Sequence, residues 1–88
     1  MKQFKEQSWS VYIVQCADGT LYTGTTTDVS KRIATHNAGT GAKYTRSRLP
    51  VTLRFTEICA DKSQALTLEA QIKKLNRKQK IARISITR

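Results

Sequence analysis

An α+β fold on a small sheet is what this 88-residue sequence predicts, and three observations carry the prediction. Residues 9–24 hold two runs rich in β-branched and aromatic residues around Asp18-Gly19, a strong short-range hairpin signal. Residues 29–37 have the pattern of a short helix, and residues 51–59 alternate as a third strand. More helix follows to the end of the chain. The length suits one modest core, so the expectation is a flexible lead-in over residues 1–8 and a single domain over residues 9–88.

In the hairpin, Trp9, Val11 and Ile13 fall on one face, while Ser10, Tyr12, Val14 and Cys16 fall on the other. Folding at Asp18-Gly19 brings Tyr22 back near Tyr12, with Gly24 where the main chain can approach a ligand closely. Two tyrosines in a hairpin equally suit plain packing. Thr25-Thr26-Thr27-Asp28 offers N-cap residues for the first helix, and Gly39 offers its stop. Within that helix Val29 and Ile33 face the sheet. Arg32 and His36 share a face of their own, a spacing that also fits a solvated edge.

Residues 39–50 read as a basic loop carrying Lys43, Arg46 and Arg48 with Tyr44 among them. In the third strand Val51, Leu53, Phe55, Glu57 and Cys59 alternate against Thr52, Arg54, Thr56 and Ile58. The second strand reaches it through a helix, which favours a parallel relation between those two. The first strand, apolar on much of both faces, then sits centrally and antiparallel to both. Asp61 or Ser63 caps the long helical stretch, whose apolar stripe is Leu68, Ile72 and Leu75, continued by Ile81, Ile84 and Ile86. Glu69 lies beside that stripe. Seven basic residues and no acid follow it: Lys73, Lys74, Arg77, Lys78, Lys80, Arg83 and Arg88.

Sixteen Lys and Arg against six Asp and Glu give a formal charge of +10, so the expected partner is a polyanion, most commonly nucleic acid. No apolar run is long enough to span a bilayer and no signal segment is evident, so a soluble, cytoplasmic or nucleoid-associated protein with no membrane partner is expected. Cys16 and Cys59 have no metal-binding spacing, and a single histidine excludes a multi-histidine site.

Five short motifs occur in order: Val11-Tyr12-Ile13; Tyr22-Thr23-Gly24; residues 31–37 with Arg32 and His36; Gly41-Ala42-Lys43 with Leu49-Pro50; and Ala65-Leu66 leading to Glu69. Together, over roughly residues 9–84, they resemble the GIY-YIG nuclease family, above all its small stand-alone bacterial members. These are themselves similar to the nuclease domain of Slx-type structure-specific endonucleases. The first motif departs from the family pattern at Ser10 and Val11, and the second at Thr23, with no reactive group lost. The resemblance implies a three-stranded antiparallel sheet flanked by helices, in the order β-β-α-β-α-α, and metal-dependent phosphodiester hydrolysis. It implies that Tyr12 and Tyr22 are the motif tyrosines, that Arg32 binds the scissile phosphate, that His36 acts beside it, and that Glu69 holds Mg²⁺ or Mn²⁺. Asn76, seven residues past Glu69 and on the same helix face, is a further candidate, though its register does not clearly match the asparagine of some members.

The residue types suit that chemistry in their own right. An arginine can fork across phosphate oxygens, and one carboxylate with several waters is a normal Mg²⁺ environment. Which of Tyr12, Tyr22 and His36 is the general base stays open. The leading expectation is a DNA endonuclease, structure-directed or non-specific, of use in repair or recombination, with RNA left open as a partner. A protein partner or homodimer would supply specificity. The alternative is a basic nucleic-acid-binding module on the same fold with little or no catalysis. Lys43, Arg46 and Arg48, together with Lys73, Arg77 and Lys80 as one helical stripe at i, i+4 and i+7, are the candidate nucleic-acid contacts.

Overall fold

A computed structural model describes residues 8–86 of the chain, with the side chain of Ile86 left undescribed. The expected lead-in, save Ser8, lies outside the described residues, as does Arg88. The elements are β1 (Trp9–Gln15), β2 (Leu21–Thr26), α1 (Val29–Asn37), α2 (Lys43–Arg46), β3 (Thr52–Cys59), α3 (Lys62–Lys73) and α4 (Arg77–Ile86). The sheet order is β2-β1-β3, with β1 antiparallel to both neighbours, as the sequence predicts.

β1 is central because it is apolar on both faces, and each face has its own core. Val11 and Ile13 pack with Phe55, Cys59, Ala65 and Ile72, with Leu68 of α3 and Ile84 of α4 against them. Tyr12, Val14 and Cys16 pack with Val51 on the opposite face, joined by Tyr22, Ile33 and Leu49. Val11 and Ile13 have no exposed surface, which is worth about 1.5–3 kcal/mol each.

The turns follow the local chemistry. Gly19 takes φ +87°, a conformation that favours glycine, and its N–H donates to Cys16 O at 2.9 Å to close the hairpin. Asp28 caps α1 by accepting from Lys31 N at 3.0 Å. Asp61, not Ser63, caps α3, accepting from Gln64 N at 2.8 Å.

The structure departs from the sequence reading in three places. β3 is not a simple alternating strand. Its register against β1 shifts between Ile13 and Val14, so Phe55 opposes Ile13 while Leu53 opposes Val14. That bulge sends Val51 and Phe55 to opposite cores, while Ile58, which alternates against Phe55 and Cys59, is 73% exposed. The loop of residues 39–50 contains one helical turn, α2, with Thr45 fully buried. The C-terminal stretch forms two helices, as the order β-β-α-β-α-α implies, but the break over residues 74–76 interrupts the face and the stripe that the sequence reading ran across it. Asn76 Oδ1 accepts from Gln79 N at 2.9 Å while Gln79 Oε1 accepts from Asn76 N at 3.0 Å, a reciprocal cap that starts α4. Asn76 therefore shares no helix face with Glu69, and Lys73 shares no continuous stripe with Arg77 and Lys80.

Candidate active site

The face of the sheet that carries Tyr12 is covered by α1 and α2, and four elements meet there. β1 supplies Tyr12, β2 supplies Tyr22 and Gly24, α1 supplies Arg32 and His36, and α2 supplies Thr45. Because α1 begins at the Asp28 cap, Arg32 and His36 fall one turn apart on the side that meets β1. The Arg32–His36 face is no solvated edge. His36 is the only buried residue of α1 and has no exposed surface.

The Tyr12 hydroxyl lies between the two, 2.8 Å from His36 Nε2 and 3.4 Å from Arg32 Nε, which donates to it. On the far side of the imidazole, Nδ1 is 2.9 Å from Thr45 Oγ1. Glycines shape both ends of this chain. Gly24 is the direct partner of Tyr12 across the hairpin, and a Cβ there would lie 2.5 Å from the phenol oxygen. A Cβ on Gly41 would lie 2.6 Å from His36 Nδ1. Only glycine lets the main chain come this close.

Tyr22 pairs with Val14, two residues beyond Tyr12, and its ring meets the edge of His36 at 5.6 Å between centroids. Its other neighbour is Tyr44, stacked at 5.8 Å and 21°, and the Arg48 guanidinium covers the Tyr44 ring at 4.0 Å. Among the described residues the Tyr22 hydroxyl has no hydrogen-bond partner, and neither do the terminal nitrogens of Arg32. The hairpin thus holds two unlike phenols. Tyr12 is 1% exposed and committed to an internal network, while Tyr22 keeps a free hydroxyl at the rim.

Burial raises the Tyr12 pKa above its usual 10.0, opposed by the hydrogen bond and charge of Arg32 and assisted by the charges of Tyr22 and Glu69. The phenol therefore stays protonated at neutral pH. Burial, with the Arg32 charge acting the same way, lowers the His36 pKa below 6.5. A histidine whose folded pKa is depressed stabilises the fold in full above its unfolded value, and that contribution is lost as pH falls through the folded value. Melting temperature should hold from about pH 7.5 down to about 6.5 and then decline towards pH 5. His36→Gln should melt lower throughout but with a shallower acid limb. An equally steep limb in that variant would assign the acid loss to other groups.

Glu69 sits on α3, half-buried, close enough that its charge opposes ionisation of Tyr12. Its Oε2 accepts from Lys73 Nζ, one turn on, at 3.2 Å. Among the described residues no three His, Cys, Asp or Glu side chains cluster as a metal cage. A cation here would rest on Glu69 alone, with water and substrate oxygens completing its shell. That donor set fits Mg²⁺, which gives up its waters reluctantly, and does not fit a dehydrated cage.

The proposed nucleic-acid contacts divide. Lys73 is paired with Glu69. Arg48 Nε is 3.0 Å from Asp18 Oδ2 and its Nη1 donates to Tyr44 O at 2.7 Å, while Arg77 Nη1 donates to Gly19 O at 2.7 Å. Those three cations each have a partner within the protein. Lys43, Arg46 and Lys80 have no side-chain partner among the described residues, and Lys80 lines a surface pocket of about 220 Å³ with Thr20, Leu21 and Arg77. Thr45 is the site residue the sequence reading missed. Its only signal was a small hydroxyl residue inside a basic loop, where burial is not written in any local period.

Residues 8–82 match the family described as the GIY-YIG catalytic domain. A UPF0213 protein of Halobacterium salinarum is 61% identical over 72 residues, spanning 82% of this chain and 94% of its own length. The solution structure of a UPF0213 protein from Bacillus halodurans superimposes with a TM-score of 0.60 at 44% identity, covering 91% of this chain and 85% of that one. A solution structure from E. faecalis gives 0.63 at 41% identity, with 96% and 90% covered.

Proposed function

The chain belongs to the GIY-YIG catalytic-domain family, among its small UPF0213 proteins, and on that premise we propose that it is a divalent-metal-dependent endonuclease acting on DNA phosphodiester bonds. One observation carries the reading: a buried phenol held between an arginine and a neutral imidazole, with a free phenol and two unengaged guanidinium nitrogens beside it. A binding module has no use for that arrangement. Arg32 can keep its Nε on Tyr12 and present its terminal nitrogens to two non-bridging oxygens of one phosphate. Tyr12 and His36 hold that guanidinium in place, and Tyr22, whose hydroxyl has no partner among the described residues, orients or deprotonates the attacking water. Glu69 would hold a Mg²⁺ ion, which supplies charge stabilisation and a more acidic bound water. Lys43, Arg46 and Lys80 would contact flanking phosphates, a sequence-independent attraction that suits non-specific or structure-directed cleavage.

One observation favours the second reading, a binding module without catalysis: the site's carboxylate is already neutralised by Lys73. A panel of end-labelled duplex, nicked, branched and single-stranded DNA and RNA, incubated with Mg²⁺, Mn²⁺ or EDTA, separates the two. Cleavage of DNA with either metal and none with EDTA is expected. Tight binding with no cleavage in any metal would establish the binding module instead.

A further inference from the structure

His36 has both ring nitrogens engaged, and the sequence motifs account for only one of the two partners. The other is Thr45, buried without exposed surface on the single turn of α2. The direction of each bond follows from which groups can donate. Thr45 Oγ1 carries one hydrogen, and the Ala42 carbonyl, which can only accept, takes it at 2.9 Å. Thr45 Oγ1 is then left to accept from His36 Nδ1, so Nδ1 carries the proton of the neutral ring. A neutral imidazole has one N–H, so Nε2 must accept, and the hydrogen it accepts is that of the Tyr12 hydroxyl at 2.8 Å. The Tyr12 oxygen is thereby turned with its lone pairs towards Arg32 Nε. Every donor in the run faces the same way, from Arg32 through Tyr12, His36 and Thr45 to the Ala42 carbonyl.

We propose that Thr45 is a positioning residue: by accepting from Nδ1 it fixes the tautomer of His36, and through that tautomer the direction of the Tyr12 hydroxyl. The main chain enforces the arrangement. Gly41 brings the main chain against an imidazole that has no exposed surface, and among the described residues the Thr45 hydroxyl is the polar partner of Nδ1. With the opposite tautomer, Nε2 would donate to the Tyr12 oxygen. That oxygen would then face two donors, and its own hydrogen would have to turn away. Arg32 would have to share with His36 the acceptor that aims it. The consequence for turnover rests on the nuclease reading, whereas the tautomer itself does not.

His36 is the only histidine of the chain, so its ring can be read without assignment ambiguity. In long-range ¹⁵N–¹H correlation spectra of the ¹⁵N-labelled chain near neutral pH, with no metal or nucleic acid, wild type should show the Nδ1–H signature. Thr45→Val, which keeps the shape and removes the hydroxyl, should lose it in favour of Nε2–H or a mixture. Thr45→Ser should restore it. An Nε2–H signature in wild type overturns the proposal with no variant required, and so does an unchanged Nδ1–H signature in folded Thr45→Val. On a DNA substrate that wild type cleaves, kcat should fall about 10²-fold in Thr45→Val with KM nearly unchanged, and return in Thr45→Ser. Unchanged kcat in Thr45→Val would overturn the positioning role. Failure of wild type to cleave any substrate would count against the nuclease reading alone, since the spectra are recorded without substrate.

Discussion

Replacing Glu69 with alanine should cut DNA cleavage by about 10³-fold, the effect of losing several kcal/mol of metal-assisted charge stabilisation, while DNA affinity holds or rises slightly. The size of the effect follows from an accounting of the acids. Asp18 is tied to Thr20 and Arg48, Asp28 and Asp61 cap helices, and Glu57 pairs with Arg83 at 3.3 Å. Among the described residues only Glu69 lies beside Tyr12 with no structural bond beyond its one-turn pair with Lys73. No second carboxylate among the described residues is free to take its place. Binding should survive because removing one negative charge from a chain of formal charge +10 reduces repulsion of a polyanion. Single-turnover cleavage of labelled branched DNA in Mg²⁺, beside fluorescence anisotropy in EDTA, measures the two separately. Undiminished cleavage by metal-stripped, refolded Glu69→Ala would end the proposal that this residue holds the metal.

Arg32→Lys should leave affinity within a few-fold and lower kcat by about 10²–10³-fold, the cost of losing one preorganised donor to developing charge. The charge is kept, so any function that needs only a cation should survive. What is lost is the planar fork. An ammonium cannot donate to the Tyr12 oxygen from one nitrogen and span two phosphate oxygens from two others. The split between KM and kcat is the readout. A fully active Arg32→Lys enzyme would reduce Arg32 to a point charge and make its contact with Tyr12 incidental.

The hairpin, α1 and the sheet order were legible because each rests on a local signal: Asp18-Gly19 for the turn, Asp28 and Gly39 at the helix ends, and β1 apolar on both faces. The meeting of Tyr12, Arg32 and His36 was legible from the family-like spacing of the motifs. Other features depend on contacts between distant segments and leave no period in the chain. A bulge in β3 cancels the alternation that residues 51–59 display. Thr45 is buried because Gly41 lets its loop lie against an imidazole nine residues back in sequence. Asn76 looked like a residue on a continuous helix, yet its side chain caps a new one, and only the pairing with Gln79 reveals this. The basic block is legible only in part for a related reason. A cation's charge is visible in sequence, but the carbonyl or carboxylate that already claims it is not.

The hairpin tip bears on how this protein can be engineered. Exposed β-turns are usually the most forgiving places to insert a tag, a reporter or a grafted loop. Here the turn is fastened from two directions. Arg48 grips it through Asp18 and through its own carbonyl, which accepts from Ala17 N at 2.8 Å, and Arg77 grips Gly19 O from the start of α4. Arg48 also covers Tyr44, the ring that backs Tyr22. A sequence spliced in at Asp18-Gly19 would release Arg48 and the start of α4 together and loosen the aromatic stack behind Tyr22. What looks like a permissive loop is a three-way junction, and fusions belong elsewhere on the molecule.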